Sequence, residues 1–101
     1  MNKKLQTKEV DRLFDAILTL ETKAECAAFF EDLCTVGELL SMSQRLAVAG
    51  MLRQGRTYLE IAESTGASTA TISRVNRSLA YGEDGYDIIF ARLKEEDQPP
   101  I

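Results

Sequence analysis

Ser68, Thr69, Ala70, Ser73, Arg74 and Arg77 take the outward positions of a run that reads as a helix from Ser68 to Leu79, with Asn76 alongside. Their types suit one kind of surface. Small side chains let a helix approach base edges closely, and hydroxyls and a helix N-terminus suit phosphate oxygens. Arginine can hold guanine O6 and N7 through two parallel hydrogen bonds. No acidic residue occurs between Gly66 and Gly82, whereas an ordinary solvated face mixes both signs. Thr71 adds a hydroxyl in the first turn. Arg56 and Thr57, just upstream, complete a candidate DNA-binding set. Arg53 is read equally well as a phosphate contact or as a cation favouring a helix C-terminus.

Other chemistry finds fewer means. The chain has two cysteines, Cys26 and Cys34, and no histidine. A zinc site needs about four Cys, His or carboxylate ligands, and a histidine triad or Cys–His dyad lacks its base. The two cysteines read as small core residues. The carboxylate pairs Glu31-Asp32 and Glu95-Glu96 lie on polar faces or in the tail, where they solvate. No cofactor, no metal and no enzymatic activity are therefore expected.

The outward face needs a platform. Two short helices crossing at about 90–120° through a tight turn form a helix-turn-helix, and residues 58–79 meet its demands in order. Ile61 faces the second helix, Ala62 keeps the crossing small, and Gly66 tolerates positive φ in the turn. Ile72 and Val75 face back toward the first helix. Thr57-Tyr58-Leu59-Glu60 is a capping box that opens the first helix, and Ser68 is the N-cap of the second.

Around this motif the chain reads as all-α, with about six helices. Residues 8–20 carry Val10, Leu13, Phe14, Ile17 and Leu18 on one stripe. A second segment opens with the box Thr22-Lys23-Ala24-Glu25 and runs to about Cys34. Its Ala24, Ala27, Ala28, Phe29, Phe30 and Leu33 spread too widely for one face, so burial against a second subunit is expected. A third opens with Thr35-Val36-Gly37-Glu38 and stops at Gly55. A sixth, residues 84–93, places Tyr86, Ile89, Phe90 and Leu93 together. Residues 1–93 are expected to form a single helical domain, and residues 94–101 an acidic, disordered tail.

Composition agrees with this reading once charge is resolved along the chain. The net charge is -4 over 101 residues. Residues 39–82 nevertheless carry +3, while residues 1–38 carry -3 and residues 83–101 carry -4. Phosphate attraction acts over a Debye length of about 8–10 Å, so the local patch decides. No apolar run approaches the roughly 18 residues of a membrane span, and no signal peptide is evident. A cytoplasmic protein without membrane contact is expected.

Taken with Leu33-Cys34-Thr35, Gln44-Arg45 and the run from Gly66 through Leu79, the chain resembles the Trp repressor superfamily, in its YerC/YecD-type branch, over about residues 8–93. The resemblance implies an intertwined homodimer, with two helix-turn-helix heads about 34–36 Å apart over successive major grooves of a palindromic operator. It also implies a ligand pocket in which Arg45 and Arg74 take the places of two arginines flanking an indole corepressor, with Thr35 and Ser78 nearby. Tryptophan-sensing members have glycine where this chain has Val75. A branched side chain there would fill the slot, so tryptophan is not expected as effector, and an unidentified small molecule is left open. The resulting expectation is a sequence-specific transcriptional regulator that represses by occlusion. A helical protein-interaction module, or a metabolite sensor without a primary DNA role, is the alternative.

Overall fold

The computed structural model describes residues 1–93; the acidic tail expected over 94–101 lies outside them. Among the described residues six α-helices follow one 3-10 turn, Lys3–Leu5: α1 Lys8–Leu18, α2 Lys23–Leu33, α3 Val36–Arg53, α4 Tyr58–Thr65, α5 Thr69–Tyr81 and α6 Gly85–Arg92. Among the described residues there is no strand, so the fold is all-α as expected. The chain divides into two compact units, Met1–Leu39 and a second beginning at Leu40.

Capping chemistry explains most helix starts. The Thr7, Thr22, Thr57 and Ser68 hydroxyls each accept from the backbone N–H three residues on. Thr35 and Glu38 exchange a reciprocal pair at the start of α3: Glu38 N donates to Thr35 Oγ1 at 3.1 Å, and Thr35 N donates to Glu38 Oε1 at 2.8 Å. The second expected box closes differently. Glu25 Oε1 accepts from Glu21 N, one residue before the N-cap Thr22. At α6 the cap is irregular, since Asp84 stands at φ 62° with no side-chain cap bond.

In the first unit the residues form helices without a dry centre. No residue of α1 or α2 is buried. Val10, Leu13 and Ile17 are half-buried, whereas Phe14 and Leu18 are exposed. The Phe29 and Phe30 rings meet edge to face at 5.5 Å and 76°, which uses part of the wide apolar surface of α2. Cys26 and Cys34 are free and half-buried, not buried core residues.

The second unit holds the core. Val48, Ala49 and Met51 of α3, Ile61 of α4, Ala67, Ile72 and Val75 at α5, and Phe90 of α6 are buried together. Val48, Ile61 and Ile72 are the largest fully buried side chains. Each buried aliphatic side chain of this kind contributes about 1.5–3 kcal/mol. Leu52, Ala62, Leu79, Tyr86 and Leu93 pack against the cluster. This core fixes α4 and α5 to the C-terminal half of α3.

Candidate nucleic-acid interface

The turn between α4 and α5 is built by local hydrogen bonds. Gly66 takes φ 72° as C-cap of α4, and its N–H donates to Ala62 O. The Thr65 hydroxyl donates to Ile61 O at 2.7 Å and accepts from Ala67 N at 3.1 Å. Gln44 Nε2 of α3 donates to Thr65 O at 3.1 Å, tying the turn to α3. Ala67 is buried in the core directly after the glycine. Helix periodicity does not mark Ala67; its small size at a sharp turn is the signal available in the sequence.

From this corner α5 runs with Ile72 and Val75 inward. Ser68, Thr69, Ala70, Ser73, Arg74, Asn76 and Arg77 are all exposed, and Thr71 is half-buried. The Ser68 hydroxyl caps the helix, accepting from Thr71 N and donating to Thr71 Oγ1, each at 3.1 Å. Ala70, Arg74 and Arg77 stand at i, i+4 and i+7 on one stripe, which is the spacing of one helix face. The stripe continues at i+11 to Tyr81, which is 86% exposed. Tyr81 lies just beyond the motif, in the last position of α5 before the C-cap Gly82. Asn76 turns aside from this stripe into a groove lined also by Leu52, Arg53, Leu79 and Asp87.

Four arginines in and beside the motif separate into two kinds. Arg53 is tied to Asp87 of α6 and lies 5.2 Å from the Phe90 ring centre. It therefore fastens α6 to the end of α3. Arg56 donates through Nη1 to Glu60 Oε2 at 3.1 Å, and the Thr57 hydroxyl is engaged by Glu60 N at 3.2 Å. By contrast, among the described residues no hydrogen bond or ion pair engages the Arg74 or Arg77 guanidinium, and both residues are exposed.

The residues that the family resemblance assigned to a ligand pocket have varied surroundings. Val75 is 3% exposed and belongs to the core with Ile61 and Ile72. Thr35 is committed to capping α3. Arg45 is half-buried on α3. Ser78 opens on a groove of about 590 Å³ with Leu46, Tyr86 and Ile89.

Comparison with known proteins places this arrangement. The family model described as Trp repressor protein matches residues 8–94. The chain is 55% identical over 94 residues to the uncharacterized protein YerC of Bacillus subtilis (strain 168), which covers 93% of this chain and 90% of YerC. A crystal structure of a TrpR-like protein from Eubacterium eligens superposes with a TM-score of 0.90 at 61% identity, over 98% of this chain and all of that one. A candidate Trp repressor from Staphylococcus aureus superposes at 0.86 with 59% identity, over 89% and 90% of the two chains. With its helical corner, its outward arginine stripe and this match over nearly its whole length, the chain belongs to the Trp repressor family.

Proposed function

We propose that the protein is a sequence-specific DNA-binding transcriptional regulator that places α5 in the major groove and represses by occluding its operator. One observation carries the reading: α5 presents an acid-free face whose two arginines, Arg74 and Arg77, have no partner among the described residues. Ser68, Thr69, Ala70, Thr71 and Ser73 supply the N-terminal part of the contact, with Asn76 on its flank. Arg56 and Thr57 border it at the entrance to α4. From Ala70 to Tyr81 the stripe runs about 16 Å along the helix axis, whereas the major groove is about 12 Å wide. Its two ends therefore serve different parts of the duplex, bases near Ala70 and Ser73 and backbone near Tyr81.

The working form in this proposal is a homodimer on a palindromic site, and residues 1–93 act as one helical domain within it. The absence of any buried residue in α1 and α2 supports the dimer. So does the exposure of Leu18 at 82% and Val36 at 77% in an isolated chain, since apolar surface of this kind ordinarily finds a partner. Tryptophan is not the effector in this reading, because Val75 is buried in the core at the position where tryptophan-sensing members of the family have glycine. The protein acts in the cytoplasm, and among the described residues no helix is long and apolar enough to cross a membrane.

A band-shift titration on mixed-sequence and genome-selected duplexes tests the proposal. Binding must weaken steeply with salt, since each neutralised phosphate contributes about 0.9 to the slope of log K against log salt. Binding to selected duplexes must exceed binding to mixed sequence. No binding at low salt would end the proposal.

A further inference from the structure

The entrance to α4 carries a closed electrostatic unit. Glu60 Oε1 accepts from Thr57 N at 3.0 Å, and Glu60 Oε2 accepts from Arg56 Nη1 at 3.1 Å. Both carboxylate oxygens are thus engaged. The Thr57 backbone bond, the Thr57 hydroxyl and Arg56 together hold the Glu60 carboxyl below its ordinary value of 4.5, so it is charged at neutral pH.

That location matters to a DNA-binding helix-turn-helix, because the first motif helix crosses the sugar-phosphate backbone. A helix N-terminus with free N–H groups and a neighbouring arginine is the ordinary receptor for a phosphate there. In this chain the Glu60 carboxylate already engages Arg56 and the N-cap N–H of Thr57. Arg56 differs in this from Arg74 and Arg77, whose guanidinium groups are unengaged among the described residues.

We propose that Glu60 stands in for a backbone phosphate at the entrance to α4, occupying Arg56 and the Thr57 N–H and so lowering affinity for DNA of any sequence. The inference rests on the DNA-binding reading above. Its consequence is discrimination. A phosphate contact adds equally to right and wrong sites, so cancelling one leaves a larger share of the binding energy to the base-facing residues of α5. In a protein that must search mixed sequence for one site, the ratio of specific to non-specific affinity is the quantity that counts.

The test is a double-mutant cycle on Glu60→Gln and Arg56→Gln, read by fluorescence anisotropy on a mixed-sequence duplex at several salt concentrations. Glutamine at the third helical position still accepts the Thr57 N–H, so α4 keeps its cap. E60Q should bind about fivefold tighter at low salt, with a salt slope steeper by about one unit. Replacing Arg56 should then cost E60Q more affinity and more slope than it costs the natural chain. Glu60→Ala, which gives up one cap bond, should show the same coupling and serves if E60Q folds poorly. Equal cost of the Arg56 change in both backgrounds would overturn the inference, because the gain would then be mere loss of a negative charge. Natural chain and E60Q binding alike would overturn it too, while leaving the DNA-binding reading intact. A duplex bound by neither would remove both.

Discussion

In the proposed DNA-binding reading, discrimination depends on Arg74 and Arg77, the two exposed arginines of α5. A base-reading arginine contributes about 1–3 kcal/mol and sets preference at one position. Arg77→Ala and Arg74→Ala should each weaken binding to a selected operator by that amount, measured by anisotropy, with unchanged melting temperature. Val75 is the complementary case, a residue whose value is in packing. Val75→Gly removes a buried branched side chain and adds a helix glycine, which together should destabilise the fold by about 3 kcal/mol. In the natural chain, calorimetric titration with tryptophan should give no micromolar binding. A micromolar isotherm would show that Val75 leaves room for the ring after all.

At the scale of elements, the corner between α4 and α5 depends on Gly66. Its φ of 72° costs a residue with a Cβ about 1–2 kcal/mol. A Cβ there would meet nothing within 4 Å, so Gly66→Ala should lower stability by backbone strain alone, seen as a reduced denaturation midpoint. The capping boxes of α3 and α4 make stability depend on pH. Glu38 and Glu60 are both held below 4.5, chiefly by the backbone N–H of Thr35 and Thr57 respectively. Carboxyls depressed in the folded state stabilise it above their unfolded pKa and lose that contribution as pH falls through the folded value. Thermal melts should therefore decline below about pH 4.5, and the decline should be shallower in a Glu38→Gln, Glu60→Gln double variant.

These elements also show what could be read from residue order. Thr57, Glu60, Gly66 and Ser68 announced both motif helices because caps and turns are local chemistry. Ile61, Ile72 and Val75 announced the core because helix periodicity orients them. The partners of Arg53 and Arg56 were not legible. Asp87 is 34 residues from Arg53, and such a pairing depends on how α6 packs. Arg56 and Glu60 are only one turn apart, but the same spacing serves a phosphate contact equally well. The exposed end of the stripe at Tyr81 was hidden for a third reason: Gly82 ends the helix there, and nothing local distinguishes a surface tyrosine from a core one.

For the whole molecule, the contrast between the two units is the main physical fact. The second has a dry core, whereas the first has helices and no buried residue. Apolar helices without a core need another surface to cover them, and the proposed homodimer supplies it. Sedimentation equilibrium should give twice the 11.2 kDa chain mass, and the melting temperature should rise with protein concentration, as for any linked assembly. The net charge of -4 fits a binder whose positive surface is confined to one patch.

The most direct measurement is the salt dependence of affinity for one footprinted operator, compared between the natural chain and an Arg74→Ala, Arg77→Ala double variant. Strong salt dependence is expected in the natural chain and at least a tenfold loss of operator preference in the variant, about 1.4 kcal/mol or more, with the fold intact. Affinity insensitive to salt, or an operator preference that survives both substitutions, would contradict it.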